Sequence, residues 1–139
     1  MKGRLPIALA VLIVVLAACG GDDGPSAEAQ TDITVEMSDF AFDPRQVLVP
    51  PGAEITVTVD NVGSVEHNWI VLQEGIQIEA EADIPDDRSG FELEKTGLVD
   101  AGGSSSVTFT APESGIYQII CDVPGHFTAG MEGRLRVDS

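Results

Sequence analysis

The chain has 139 residues, enough for one domain with a real hydrophobic core and too few for two. Twenty-three acidic against seven basic residues give a formal charge of −16, which argues against nucleic acid as a partner and against direct attraction to anionic lipid.

The first eighteen residues stand apart. Lys2 and Arg4 precede an apolar run from Leu5 to Ala18, too short to span a bilayer and with the charge order of a secretory signal. The run ends in LAAC, which resembles the cleavage box of bacterial lipoproteins, whose cysteine becomes the acylated first residue. By that resemblance Cys19 is a lipid anchor to the membrane; an ordinary secretory signal or an uncleaved N-terminal anchor is the alternative. On each reading the domain is exported and faces the periplasm or the cell exterior. Loss of Lys2 and Arg4 with the leader leaves five basic against 23 acidic residues, a net charge of −18. Residues 19–31, mostly GGDDGPSAEAQT, read as a flexible tether averaging roughly 20 Å end to end.

From residue 32 to 139 the pattern has period two, is rich in β-branched residues and is broken at short intervals by turn residues. Ile33, Val35 and Met37 share one face of a first strand. QVLVPPG makes a short second strand stopped by Pro50, Pro51 and Gly52, and EITVTVDN alternates Ile55, Val57 and Val59 inward before a turn at Asn61 to Gly63. HNWIVL is the next strand. The region from Glu74 to Asp100 has weak periodicity and reads as a long connection holding a short helix at most. Its carboxylates, densest from Glu74 to Glu94, form a solvated face or steer a basic partner. SVTFT, IYQIIC and GRLRVD complete the set. Short strands at this spacing predict an all-β, Greek-key β-sandwich with a long acidic connection.

With Cys19 lipidated, Cys121 has no disulfide partner in an oxidising compartment, so it is either buried and inert or held by a metal as thiolate. Cys121, His126 and Met131 follow one another at intervals of five, and His67 is the other histidine. Taken singly, each is more often structural than functional. Together, a soft thiolate, two imidazoles and a weak thioether match the ligand set of a blue-copper electron-transfer site. Cys121 lies on the face of Tyr117 and Ile119. Turns at Pro124-Gly125 and Ala129-Gly130 can bring His126 and Met131 back toward it, with His67 arriving from another strand.

CDVPGHFTAGM, NVGSVEHNWIVL and FDPRQVLVPPGAEITVTVDNVG together resemble the cupredoxins, close to the azurin, auracyanin and rusticyanin branch, over roughly Ile33 to Val137. The resemblance implies one type 1 copper, ligated by His67, Cys121 and His126 with Met131 axial, and single-electron exchange with redox protein partners by a monomer. It implies that Asn68 ties the two ligand loops and that its backbone N–H, with that of Val123, approaches the Cys121 sulfur. It also implies a docking patch of Pro124, Phe127, Ala129 and Gly130 around a surface-reaching His126. Two departures stand out. Glu66 occupies the place of azurin's glycine, which leaves a fifth contact from its carbonyl open, and Asp122 adds a negative charge beside the thiolate that opposes the two N–H donors.

Copper enzymes built on such domains need further histidines, and both histidines here are already assigned. The serines of GSSSV lack a spare histidine as base. A copper-delivery or storage lipoprotein is the stronger rival, weakened because only Met37 and Met131 remain after the leader; a metal-free interaction sandwich is the third reading. Zinc also suits two histidines and a cysteine, although the intrinsic order of affinities puts cupric ion above it.

Overall fold

The computed structural model describes residues 28–139. The expected signal peptide (1–18), the anchor Cys19 and most of the tether lie outside the described residues. At the tether's far end the chain is already attached: the Gln30 N–H donates to the Leu48 carbonyl at 3.0 Å, and the Thr31 carbonyl accepts from Thr56 at 2.7 Å.

Among the described residues nine strands form two packed sheets: β1 (Asp32–Ser38), β2 (Ala41–Asp43), β3 (Gln46–Val49), β4 (Glu54–Asn61), β5 (Ile70–Leu72), β6 (Glu92–Lys95), β7 (Ser104–Thr110), β8 (Gly115–Ile120) and β9 (Glu132–Val137). One sheet runs β2-β1-β4-β7, the other β3-β9-β8-β5-β6. Each is mixed, because β1 pairs parallel with β4 and β3 parallel with β9. Alternation drives the packing, as the sequence predicts. Ile33, Val35 and Met37 of β1 and Ile55, Val57 and Val59 of β4 share one core with Val47, Val49, Val71, Tyr117, Ile119, Leu135 and Val137 of the opposite sheet and with Trp69. Full burial of each such side chain is worth about 1.5–3 kcal/mol.

Two elements differ from expectation. The strand expected over HNWIVL is only three residues long, and His67 precedes it in an isolated bridge with Val99. The acidic connection carries β6 as well as a 3-10 turn at Glu81–Asp83. Glu92–Lys95 reads ELEK, so Leu93 alone signals a face, and pairing with β5 rather than propensity makes it a strand.

The connection is also a cover. β5 is buried on both faces, Val71 in the main core and Ile70 and Leu72 in a second cluster with Ile120, Ile78, Phe91 and Phe127. Ile78 and Phe91 come from the acidic segment, with Ile76 and Ile84 packed beside them. At the centre of this layer the buried Gln118 amide accepts the Ile78 N–H at 2.8 Å and donates to the Ile78 carbonyl at 3.1 Å. It thereby completes hydrogen bonds that the irregular backbone would otherwise leave open.

Candidate metal centre

His67 is fixed by its backbone: its N–H donates to the Val99 carbonyl at 3.1 Å, and its carbonyl accepts from Val99 at 2.8 Å. The buried Asn61 amide holds the approach, donating from Nδ2 to the carbonyls of Val65 and Val99, both at 2.8 Å, and accepting from Gly63 at 2.9 Å. Past His67, the buried Thr96 hydroxyl accepts the Trp69 N–H at 3.0 Å.

The second loop leaves β8 at Cys121 and folds twice. The His126 N–H donates to Val123 at 3.0 Å, Gly130 to Phe127 at 2.8 Å and Met131 back to His126 at 3.0 Å. Gly125 and Gly130 have φ of +87° and +100°, where a glycine avoids the clash that a side chain would make. The Cys121 N–H donates to the Met131 carbonyl at 3.2 Å, closing the loop on itself.

These constraints bring His67, Cys121 and His126 together, all buried, with their donor atoms within 4.8 Å of one another. The two Nδ1 atoms are 3.0 Å apart, and Cys121 Sγ lies 3.4 Å from His126 Nδ1. Met131 is fully buried in the cluster that contains Cys121. A thiol with no disulfide partner among the described residues, facing two imidazole nitrogens at this spread, is a donor set that one soft or borderline ion can bridge. The residues fit a copper ion.

Asn68 joins the two loops, donating from Nδ2 to Asp122 Oδ1 at 2.6 Å and accepting the Asp122 N–H at 3.1 Å. Burial pushes the Cys121 thiol up; the backbone N–H groups of Asn68 and Val123 at the sulfur oppose that, while the charges of Asp122 and Glu66 add to it. His126 is pushed down by burial first and by His67 second.

The charge of Asp122 is not left open beside the thiolate. Arg88 Nη2 pairs with its Oδ2 at 3.0 Å, a contact the sequence did not announce because Arg88 lies 34 residues upstream in the irregular segment. Arg88 also stands over the Phe91 ring at 5.6 Å. From the same segment Glu81 staples the second loop: its two oxygens accept the Gly125 N–H at 2.8 and 2.9 Å, and Oε2 takes the Thr128 hydroxyl at 2.9 Å. These bonds hold its carboxyl below the usual range.

Phe127 departs from the expected docking patch. Its ring is buried in the second hydrophobic cluster, because its side chain turns toward Ile78 and Phe91 once the acidic segment covers that sheet. Pro124, Ala129 and Gly130 are exposed. The aromatic ring beside His126 is instead Phe40, 43% exposed and edge-on at a centroid distance of 5.1 Å.

Residues 29–138 match the family of copper binding proteins, plastocyanin/azurin family. Auracyanin-A of Chloroflexus aurantiacus is 33% identical, over 94% of this chain and 93% of its own. The copper-resistant cuproprotein CopI of Rubrivivax gelatinosus is 30% identical, over 84% of this chain and 72% of its own. Among solved structures, the dithionite-reduced auracyanin of Roseiflexus castenholzii superposes with a TM-score of 0.69 at 30% identity, covering 81% of this chain and all of that one.

Because Val123 supplies an N–H to the Cys121 sulfur, Val123→Pro removes a donor that favours the more electron-rich reduced site. Voltammetry of the copper-loaded variant should give a midpoint lower by tens of millivolts, on the scale of about 59 mV per tenfold change for one electron. An unchanged or higher midpoint contradicts this role.

Proposed function

The chain belongs to the plastocyanin/azurin family of copper-binding proteins, in its auracyanin-like branch, and from that premise we propose that it carries single electrons between redox proteins at one type 1 copper held by His67, Cys121, His126 and Met131. It is an electron carrier and not an enzyme. The observation that carries the reading is the burial and convergence of two imidazoles and a thiol at one end of the sandwich.

A copper ion there supplies the couple between cupric and cuprous states. The imidazoles of His67 and His126 offer nitrogen, which suits the cupric state, and the sulfurs of Cys121 and Met131 suit the cuprous one. The hydrogen bonds at His67, Asn68, Cys121 and Met131 fix the backbone that carries these donors, so a change of charge meets a frame with little freedom to rearrange. Burial excludes water from the sulfur atoms, both 0% exposed at the residue level, while His126 at 7% is the most accessible of the four.

Electrons therefore pass through the His126 edge, and the partner docks on Phe40, Pro124, Ala129 and Gly130. Among the described residues the five basic side chains, Arg45, Arg88, Lys95, Arg134 and Arg136, all lie in ion pairs. The remaining carboxylates leave a negative field that favours a basic partner. Export under residues 1–18, anchoring through Cys19 and a tether to residue 31 would place this monomeric domain near a membrane, outside the cytoplasm.

A second reading is copper delivery or storage, favoured by the likeness to a copper-resistant cuproprotein. Repeated reduction and oxidation without loss of the ion to a cuprous chelator supports carriage; prompt release on reduction supports delivery.

Addition of cupric ion should give an intense blue band and a reversible one-electron couple, and Cys121→Ser should abolish the colour while the chain stays folded. A colourless wild-type holoprotein rejects the reading. Ala129→Lys should keep the visible spectrum yet slow exchange with the basic partner, by about tenfold if one rim charge opposes association; equal stopped-flow rates move docking elsewhere. Cell fractionation should find wild type with membranes and Cys19→Ser in the soluble fraction, and co-sedimentation of both removes the anchor.

A further inference from the structure

The β1–β2 turn touches both imidazoles and has no part in the donor set. Asp39 and Phe40 join the paired residues Ser38 and Ala41. Phe40 has φ +69°, a conformation that costs a bulky residue about 1–3 kcal/mol and persists where the surrounding structure over-determines it. From this turn Asp39 Oδ1 comes within 3.4 Å of His67 Nε2, while the Phe40 ring stands at 81° to that of His126.

The carboxylate is held in place. Ser64 donates its backbone N–H to Asp39 Oδ1 at 2.8 Å and its hydroxyl to Oδ2 at 2.5 Å. Gly63 closes the cage: a methyl there would collide with Asp39 Oδ1 and stand 3.0 Å from His67 Nε2. The glycine is thus required by the close approach of these two groups.

We propose that Asp39 is a positioning residue for His67, accepting its Nε2–H and so fixing the tautomer whose Nδ1 lone pair faces Cys121 and His126. This rests on the reading that His67 is a ligand. A neutral imidazole has one N–H and one lone pair, and the partner of one nitrogen decides the role of the other. His67 is 0% exposed, so an Nε2–H without an acceptor would be an orphaned buried donor. At 3.4 Å the contact is long for a hydrogen bond, yet Ser64 and Gly63 leave the carboxylate few other positions. A carboxylate behind a ligating imidazole also favours the more highly charged state of an ion bound at Nδ1.

The test uses the full chain. In the metal-free protein, long-range proton–nitrogen NMR should find His67 as the Nε2–H tautomer, and Asp39→Ala should turn it into a mixture. With Zn(II) as probe, the same variant should lose about 10–100-fold in affinity. In copper-loaded protein each tenfold loss of cupric over cuprous preference reads as a rise of about 59 mV. Asp39→Asn keeps an oxygen acceptor without the charge, so it should retain the tautomer and still raise the potential. Ser64→Ala, which removes the hydroxyl bond to Oδ2 and leaves the backbone N–H on Oδ1, should fall between wild type and Asp39→Ala, and it decides the matter if Asp39→Ala does not fold. An unchanged tautomer, zinc affinity and potential in the folded Asp39 variants, or in Ser64→Ala where those do not fold, overturns the proposal. His67→Ala separates the two levels: if it still binds zinc as wild type does and turns blue with copper, the ligand reading fails, whereas loss of both beside a silent Asp39→Ala rejects only the positioning role.

Discussion

Two segments 54 residues apart are tied by a reciprocal pair of hydrogen bonds, Asn68 to Asp122 and Asp122 back to Asn68, which carry the pairing of Ile70 with Ile120 onward to the site. Each segment alone would carry a donor to no purpose. His67 is positioned by its bridge to Val99, and Cys121 by the end of β8 and its bond to Met131. The β5–β8 ladder pairs the two backbones, and the side-chain tie adds to it beside the donors. At the buried sulfur itself the groups that favour the thiolate are the backbone N–H dipoles of Asn68 and Val123. Arg88 acts one residue further out, pairing with Asp122, whose charge pushes the thiol up.

Much of this was legible in the residues. Alternation at Ile33, Val35 and Met37, and at Ile55, Val57 and Val59, named the inward faces, because burial on one side of a sheet imposes period two. The C-x4-H-x4-M spacing around Pro124-Gly125 and Ala129-Gly130 pointed to a folded-back loop because proline presets φ for a turn and glycine admits the positive φ that a turn can need. The parallel pairing of β1 with β4 left no local mark, since register between distant strands is a tertiary property.

The acidic segment hid the rest. Its carboxylates mask Ile76, Ile78, Ile84 and Phe91, four apolar side chains with no regular period, which roof the outer face of the five-stranded sheet. That roof draws Phe127 inward and leaves Phe40, a residue in a strained turn far away in the chain, as the ring beside His126. Charge density alone suggested a solvated face, whereas Glu81 and Arg88 point at the metal loop. Nothing in a local window distinguishes a carboxylate that faces water from one that accepts a loop amide.

The Glu81 staple changes what can be exchanged between relatives. A copper loop of different length grafted between Cys121 and Met131 would move the Gly125 amide and the Thr128 hydroxyl away from a carboxylate rooted in a separate segment. The graft would bring its own histidine and methionine but leave Glu81 without its neutral partners. In this protein the transplantable unit is accordingly the loop together with the 3-10 turn that grips it, two pieces discontinuous in the gene and contiguous only in space.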